Sequence, residues 1–133
     1  MEDCIFCKII KGTIPAKIVT QNDDVVVFLS LENHPLIVTK NHFDNVYNLD
    51  DRSASEVMKM AVKIANAVKI GLNADGVNLI QSNEPAAHQD VFHFHLHIIP
   101  RFHQDAIKLS FPHEDIPEQK KTSILEKIKA ALN

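Results

Sequence analysis

This chain predicts an α+β domain with a mostly antiparallel five-stranded sheet and two main helices. Three features predict it. Short apolar runs rich in β-branched residues follow one another over residues 16–40, with connections too brief for crossover helices. Residues 47–76 then change to a spacing of three and four. Finally "VFHFHLHIIPR", residues 91–101, alternates apolar residues with histidine, as a strand with two chemically different faces does. At 133 residues the chain suits one domain with a real core. Residues 3–102 read as that core, and 103–133 as a C-terminal extension carrying a helix.

The elements follow in order. "CIFCKIIKG" predicts a short helix stopped at Gly12. "AKIVTQ" and "DVVVFLSL" read as strands joined by the turn "NDD", and "HPLIVTK" as a third. In the long helix, Val57, Met60, Ala61, Ile64, Ala65 and Val68 share one face. Asp50, Asp51 and Ser53 are its cap candidates, and Gly71 lies near its end. "GVNLIQS" is the fourth strand and "NEPAAHQD" a loop. In the histidine strand, Phe92, Phe94, Leu96 and Ile98 are expected to face the core and His93, His95 and His97 the other side, with Pro100 ending it. "PEQKKTSILEKIKAALN" closes as a helix with Ile124, Leu125, Ile128 and Leu132 on one face.

Composition narrows the function. A net charge of -3 argues against general nucleic-acid binding, though a local site can hold a single nucleotide. No apolar run reaches membrane-spanning length, and the start lacks a signal-peptide pattern, so a cytoplasmic protein without membrane association is expected. Cys4 and Cys7, the two cysteines, form a C-x-x-C; in a reducing compartment this spacing suggests metal binding or redox work more than a disulfide.

Three imidazoles on one strand face are costly to bury without partners or a task. Same-face histidines converge readily on a metal ion. An imidazole that is largely unprotonated near pH 7 is also a nucleophile, which a neighbouring ring can orient. Spacing alone leaves both open.

The stretch His93-Phe94-His95-Leu96-His97-Ile98-Ile99 resembles the His-x-His-x-His-x-x signature, x apolar, of the histidine-triad (HIT) superfamily. "DCIFCKIIKGTIPAKIV" is similar to the opening of its Hint-like and bacterial members, and "ADGVNLIQSNEPAAHQDVFHFHLHIIPR" to the second half of their domain. The resemblance implies a HIT-like fold, a homodimer whose sheets join, and release of a nucleoside monophosphate from a purine nucleotide substrate. The leaving group would be that of a phosphoramidate, a dinucleoside polyphosphate or another adenylylated compound. By the same resemblance His95 would attack the α-phosphorus to give a nucleotidyl-histidine, which water then cleaves. His97 would donate to the phosphate, His34 would help form the site, and His93 would serve structure or metal.

Further roles carry over in the same way. Phe6, Ile9, Phe28 and Leu31 match apolar positions that sandwich the base, although plain core is the commoner fate of such residues. Gln89 falls in a segment that contacts phosphate in relatives. Four positions depart from the pattern, one of them His88, where relatives commonly have glycine or an aromatic residue. Ser30 stands where relatives carry an aspartate that holds the ribose, in a hairpin about four residues shorter by the same match. Ser82 replaces an asparagine of the phosphate-side loop. Asp90 replaces a serine that aids the leaving group. The family precedent also joins Cys4 and Cys7 to His42 and His93 as a structural zinc site. Two readings of other classes stay open beside the hydrolase: a nucleotide-binding regulatory module with little turnover, and a metal-dependent hydrolase with the triad as ligands.

Overall fold

The computed structural model describes residues 2–132; Met1 and Asn133, the ends of the expected domain and of its last helix, lie outside them. Helix α1 (Ile5–Lys11) is followed by strands β1 (Ile18–Gln21), β2 (Val25–Leu29) and β3 (Pro35–Thr39). Helix α2 (Asp51–Gly71), β4 (Gly76–Ile80), β5 (His95–Arg101) and α3 (Glu118–Ala131) complete the chain. The strands form one sheet in the order β1-β2-β3-β5-β4, and every neighbouring pair is antiparallel.

Residue type decides which face each strand side chain takes. Val25 and Val27 of β2, Ile37 of β3, and Leu96 and Ile98 of β5 join Phe94 in packing against Val57, Met60, Ala61, Ile64 and Val68 of α2. The opposite face carries Val26, Phe28, Leu36 and Val38, covered by Phe6, Ile9 and Ile10 of α1. With both faces covered, β2 and β3 read as continuous apolar runs rather than alternating ones. The register pairs Leu36 with His97 and Val38 with His95, which turns the histidines toward the α1 side. Asp50 caps α2 by accepting from the Ser53 amide at 2.7 Å.

Three expectations are corrected. β5 begins at His95, so His93 lies in the bend before it. Phe92 is 50% exposed and stands outside the core that Phe94, Leu96 and Ile98 enter. Pro100 does not end β5; it sits within it, opposite Val77 of β4. The ladder with β3 stops at His97, so β5 is locally an edge there, where proline is tolerated.

Beyond β5 the chain leaves the sheet. Arg101 fixes the root of this extension through Asp105, at 2.8 and 3.0 Å, and the Ile107 carbonyl at 2.8 Å. No described residue of α3 is buried, and Ile124, Leu125, Ile128 and Leu132 stay exposed. No helix among the described residues is long and apolar enough to cross a membrane.

Candidate active site

His95 opens β5 and is 5% exposed. Its Nδ1 lies 2.7 Å from the His93 carbonyl oxygen, which can only accept, so the ring proton sits on Nδ1. Nε2, on the other side of the ring, lies 3.6 Å from the exposed Asp90 carboxylate. The Phe6 ring stands edge-on to His95, with centroids 5.1 Å apart. Two residues on, His97 Nδ1 meets His34 Nε2 at 2.8 Å. His34 is delivered by a tight turn in which the Ser30 hydroxyl oxygen accepts from the Glu32 and His34 amides, at 3.2 and 3.3 Å. Asn33, in the left-handed region at φ 63°, closes that turn.

These rings open into a cavity of about 710 Å³ between α1, the β2–β3 turn and β5. That volume lies within the roughly 300–1,000 Å³ typical of small-molecule sites. Phe6, Ile9 and Phe28 give it an apolar wall, while His34, His95, His97, Asp90, Ser30 and Leu31 also line it.

His93 faces elsewhere. Its Nε2 donates to the Thr39 carbonyl at 2.7 Å, which leaves Nδ1 unprotonated, 3.3 Å from Cys4 Sγ and 3.5 Å from Cys7 Sγ. His42 is arranged alike: Nε2 bonds the Asp44 carboxylate at 2.9 Å, and Nδ1 lies 3.4 Å from Cys7 Sγ. Two sulfurs and two imidazole lone pairs thus gather with all four atoms within 4.8 Å of one another. Ligands on a tetrahedral zinc stand roughly 3.3–3.8 Å apart, by its Zn–S and Zn–N distances. A carboxylate or carbonyl behind each imidazole is the usual outer shell of such a site. Burial pushes the Cys7 thiol up, and the neighbouring Cys4 adds to this; a bound dication would reverse that preference. The donor set therefore fits zinc.

Residues 11–104 match the family model of the HIT domain. The chain belongs to the HIT family. It is 33% identical to an adenosine 5'-monophosphoramidase of Candida albicans over 138 aligned positions, covering 97% of this chain and 91% of that one. A crystallised HIT family protein from Bacillus anthracis superposes with a TM-score of 0.92 at 33% identity, over 99% of each chain. A zinc-bound histidine triad family protein from Mycobacterium smegmatis superposes at 0.74 with 29% identity, over 98% of each.

The HIT domain gathers most, not all, of the residues picked out from sequence. Ser82 does not line the cavity. Gln89 is 5% exposed, and its amide is fully engaged in holding its loop. It donates to the Asp44 and Val91 carbonyls at 2.6 and 3.1 Å and accepts from the Glu84 amide at 2.7 Å. Ser30 lines the cavity while its oxygen serves the turn. Thr39 and Asp44, the partners that orient the two imidazoles of this cluster, carry no expectation from sequence. Asp44 follows His42 by two residues, a weak signal; a backbone carbonyl such as that of Thr39 has none.

The histidine row also sets a pH dependence of stability. Burial, aided by His95 and His34, lowers His97 from 6.5 to about 4. Between those values the unfolded chain binds a proton that the folded HIT domain refuses. Stability from this group is complete above pH 6.5 and drains away as pH falls toward 4. The urea midpoint is expected to drop across that window, and His97→Asn to flatten the drop; an unchanged slope in the variant would contradict the assignment.

Proposed function

We propose that this HIT protein is a nucleotide hydrolase that releases a nucleoside monophosphate from its leaving group through a nucleotidyl-His95 intermediate. One observation carries the reading: the His93 carbonyl engages His95 Nδ1, so the other ring nitrogen, Nε2, is the one the neutral ring would offer at the cavity that His95 lines. A phosphoramidase name on a relative aligned over nearly the whole chain supports the hydrolase class.

In the first step Nε2 attacks the α-phosphorus in line. The P–N bond to histidine forms as the bond to the leaving group breaks, and the leaving atom keeps the electron pair and takes a proton. Water then attacks phosphorus, returns the electron pair to Nε2 and releases the monophosphate. With His34 Nε2–H donating to His97 Nδ1, His97 keeps its proton on Nε2 as a donor to the phosphate. Phe6, Ile9 and Phe28 would hold a purine, as in an adenosine nucleotide.

Cys4, Cys7, His42 and His93 would hold a structural zinc, tying α1 to the sheet beside the site. Four protein donors close the coordination sphere and leave no place for a catalytic water. His95 and His97 lie outside this set, which favours the covalent reading over a metallohydrolase. We read residues 3–102 as the catalytic core and 103–133 as an extension, in a cytoplasmic protein acting on small molecules. Membership of the family supports a homodimer whose sheets join across the interface. Sedimentation velocity is expected to give a dimer; a single species at monomer mass would oppose this.

The test of the function is intact-mass and peptide analysis of protein quenched during turnover of an adenosine phosphoramidate. A nucleotidyl group on His95 is the expected product, and turnover with no adduct at any time point is the contrary result.

A further inference from the structure

The cavity is poor in positive charge. Among the described residues lining it, Lys17 is the sole lysine or arginine, against the carboxylates of Glu32 and Asp90. Burial favours the neutral forms of His34 and His97. Asp90 is the closer carboxylate to the chemistry, with Oδ1 3.6 Å from His95 Nε2. The same oxygen accepts from the Val91 amide at 2.8 Å, and the carboxylate stands 79% exposed at the mouth of the site.

A phosphorus attacked by Nε2 must sit about 3 Å from it. The substituents on that phosphorus therefore come within a few ångströms of the Asp90 carboxylate. A polyphosphate leaving group would bring several negative charges to that point. Sites for such groups supply clustered arginines and lysines or a metal clamp, and this wall supplies a carboxylate. An amine that departs as an ammonium, or one already bearing a pendant ammonium, meets the opposite sign.

We propose that Asp90 is the leaving-group selector of this site, admitting phosphoramidates with cationic amine leaving groups and rejecting dinucleoside polyphosphates. The inference rests on the nucleotide-hydrolase reading and narrows its substrate class. Asp90 transfers no proton in this step. The breaking P–N bond leaves its electron pair on the nitrogen, which takes one proton from solvent to depart as the neutral amine and a second to become the ammonium that meets the carboxylate.

The experiment compares wild type with Asp90→Asn and Asp90→Ser on three probes. They are an adenosine phosphoramidate of a diamine with a free ammonium, the phosphoramidate of a neutral alkylamine, and diadenosine tetraphosphate. An exposed carboxylate facing an unlike charge changes rates by about two- to fivefold. Wild type is expected to prefer the ammonium-bearing probe over the neutral one by about threefold in kcat/KM, with the preference shrinking as salt rises. Both variants should lose that preference and gain about threefold on the tetraphosphate relative to the neutral probe. Equal loss on all three probes would make Asp90 a structural or general catalytic residue and overturn selection. Unchanged ratios would overturn it too. If wild type cleaves none of the three, the hydrolase reading itself fails and the selector falls with it, whereas turnover with unchanged ratios sinks only the selector. Binding of AMP, measured on every protein, separates a misfolded variant from a redirected one.

Discussion

With His95 replaced by alanine, release of AMP from an adenosine phosphoramidate is expected to fall by about 10⁴- to 10⁶-fold in kcat, the scale of losing a covalent nucleophile. No neighbour is placed to take over. His97 has Nδ1 bonded to His34 at 2.8 Å. His93 gives one ring nitrogen to Thr39 and turns the other to the cysteine sulfurs. AMP binding should survive, because Phe6, Ile9 and Phe28 still line the cavity. Single-turnover assays decide the matter. Fast AMP release by both proteins would remove His95 from the nucleophile's role and bring a metal-bound hydroxide forward.

Removal of zinc from the proposed Cys4–Cys7–His42–His93 site is the second large effect expected. Loading zinc at a thousand times its dissociation constant stabilises the folded state by about 4 kcal/mol. For a domain of this size that corresponds to roughly 10–20 °C in Tm. Chelation, or Cys7→Ser, is expected to remove that increment and to weaken AMP binding as well, because Phe6 sits beside Cys7 on α1 and lines the cavity. If the chelator abolishes turnover while Tm and AMP affinity stay put, the metal is catalytic. If it changes nothing, these four residues hold no metal that matters to the fold.

Much of this was legible in the residues, for physical reasons that also mark where reading stopped. β-Branched runs and the three-four period of α2 reflect burial, which side-chain type controls directly. The start of β5 does not. Alternation of histidine with apolar residues continues upstream through Phe92, yet pairing with β3 runs only over His95–His97, and pairing is a property of the backbone. Pro100 stays inside a strand because its neighbour on one side has ended, which no local signal records. The four candidate zinc donors are spread from residue 4 to residue 93, so only a known family pattern brought them together. Ser30 illustrates a substitution whose meaning needs the turn: its oxygen is used to hold the backbone that delivers His34.

Helix α1 has only seven residues. Within it, Phe6 lines the cavity and packs edge-on to His95, and the next residue, Cys7, points its sulfur toward His42 and His93. Adjacent positions on a helix turn by about 100°, so these two jobs cannot be moved apart by any insertion or deletion in that turn. The cavity wall and the Cys/His cluster are therefore not separately evolvable at this end of the molecule. A lineage that reshapes the α1 part of the wall must do so by substitution at Ile5, Phe6 and Ile9, and one that discards the cysteines has to find another anchor for the same wall.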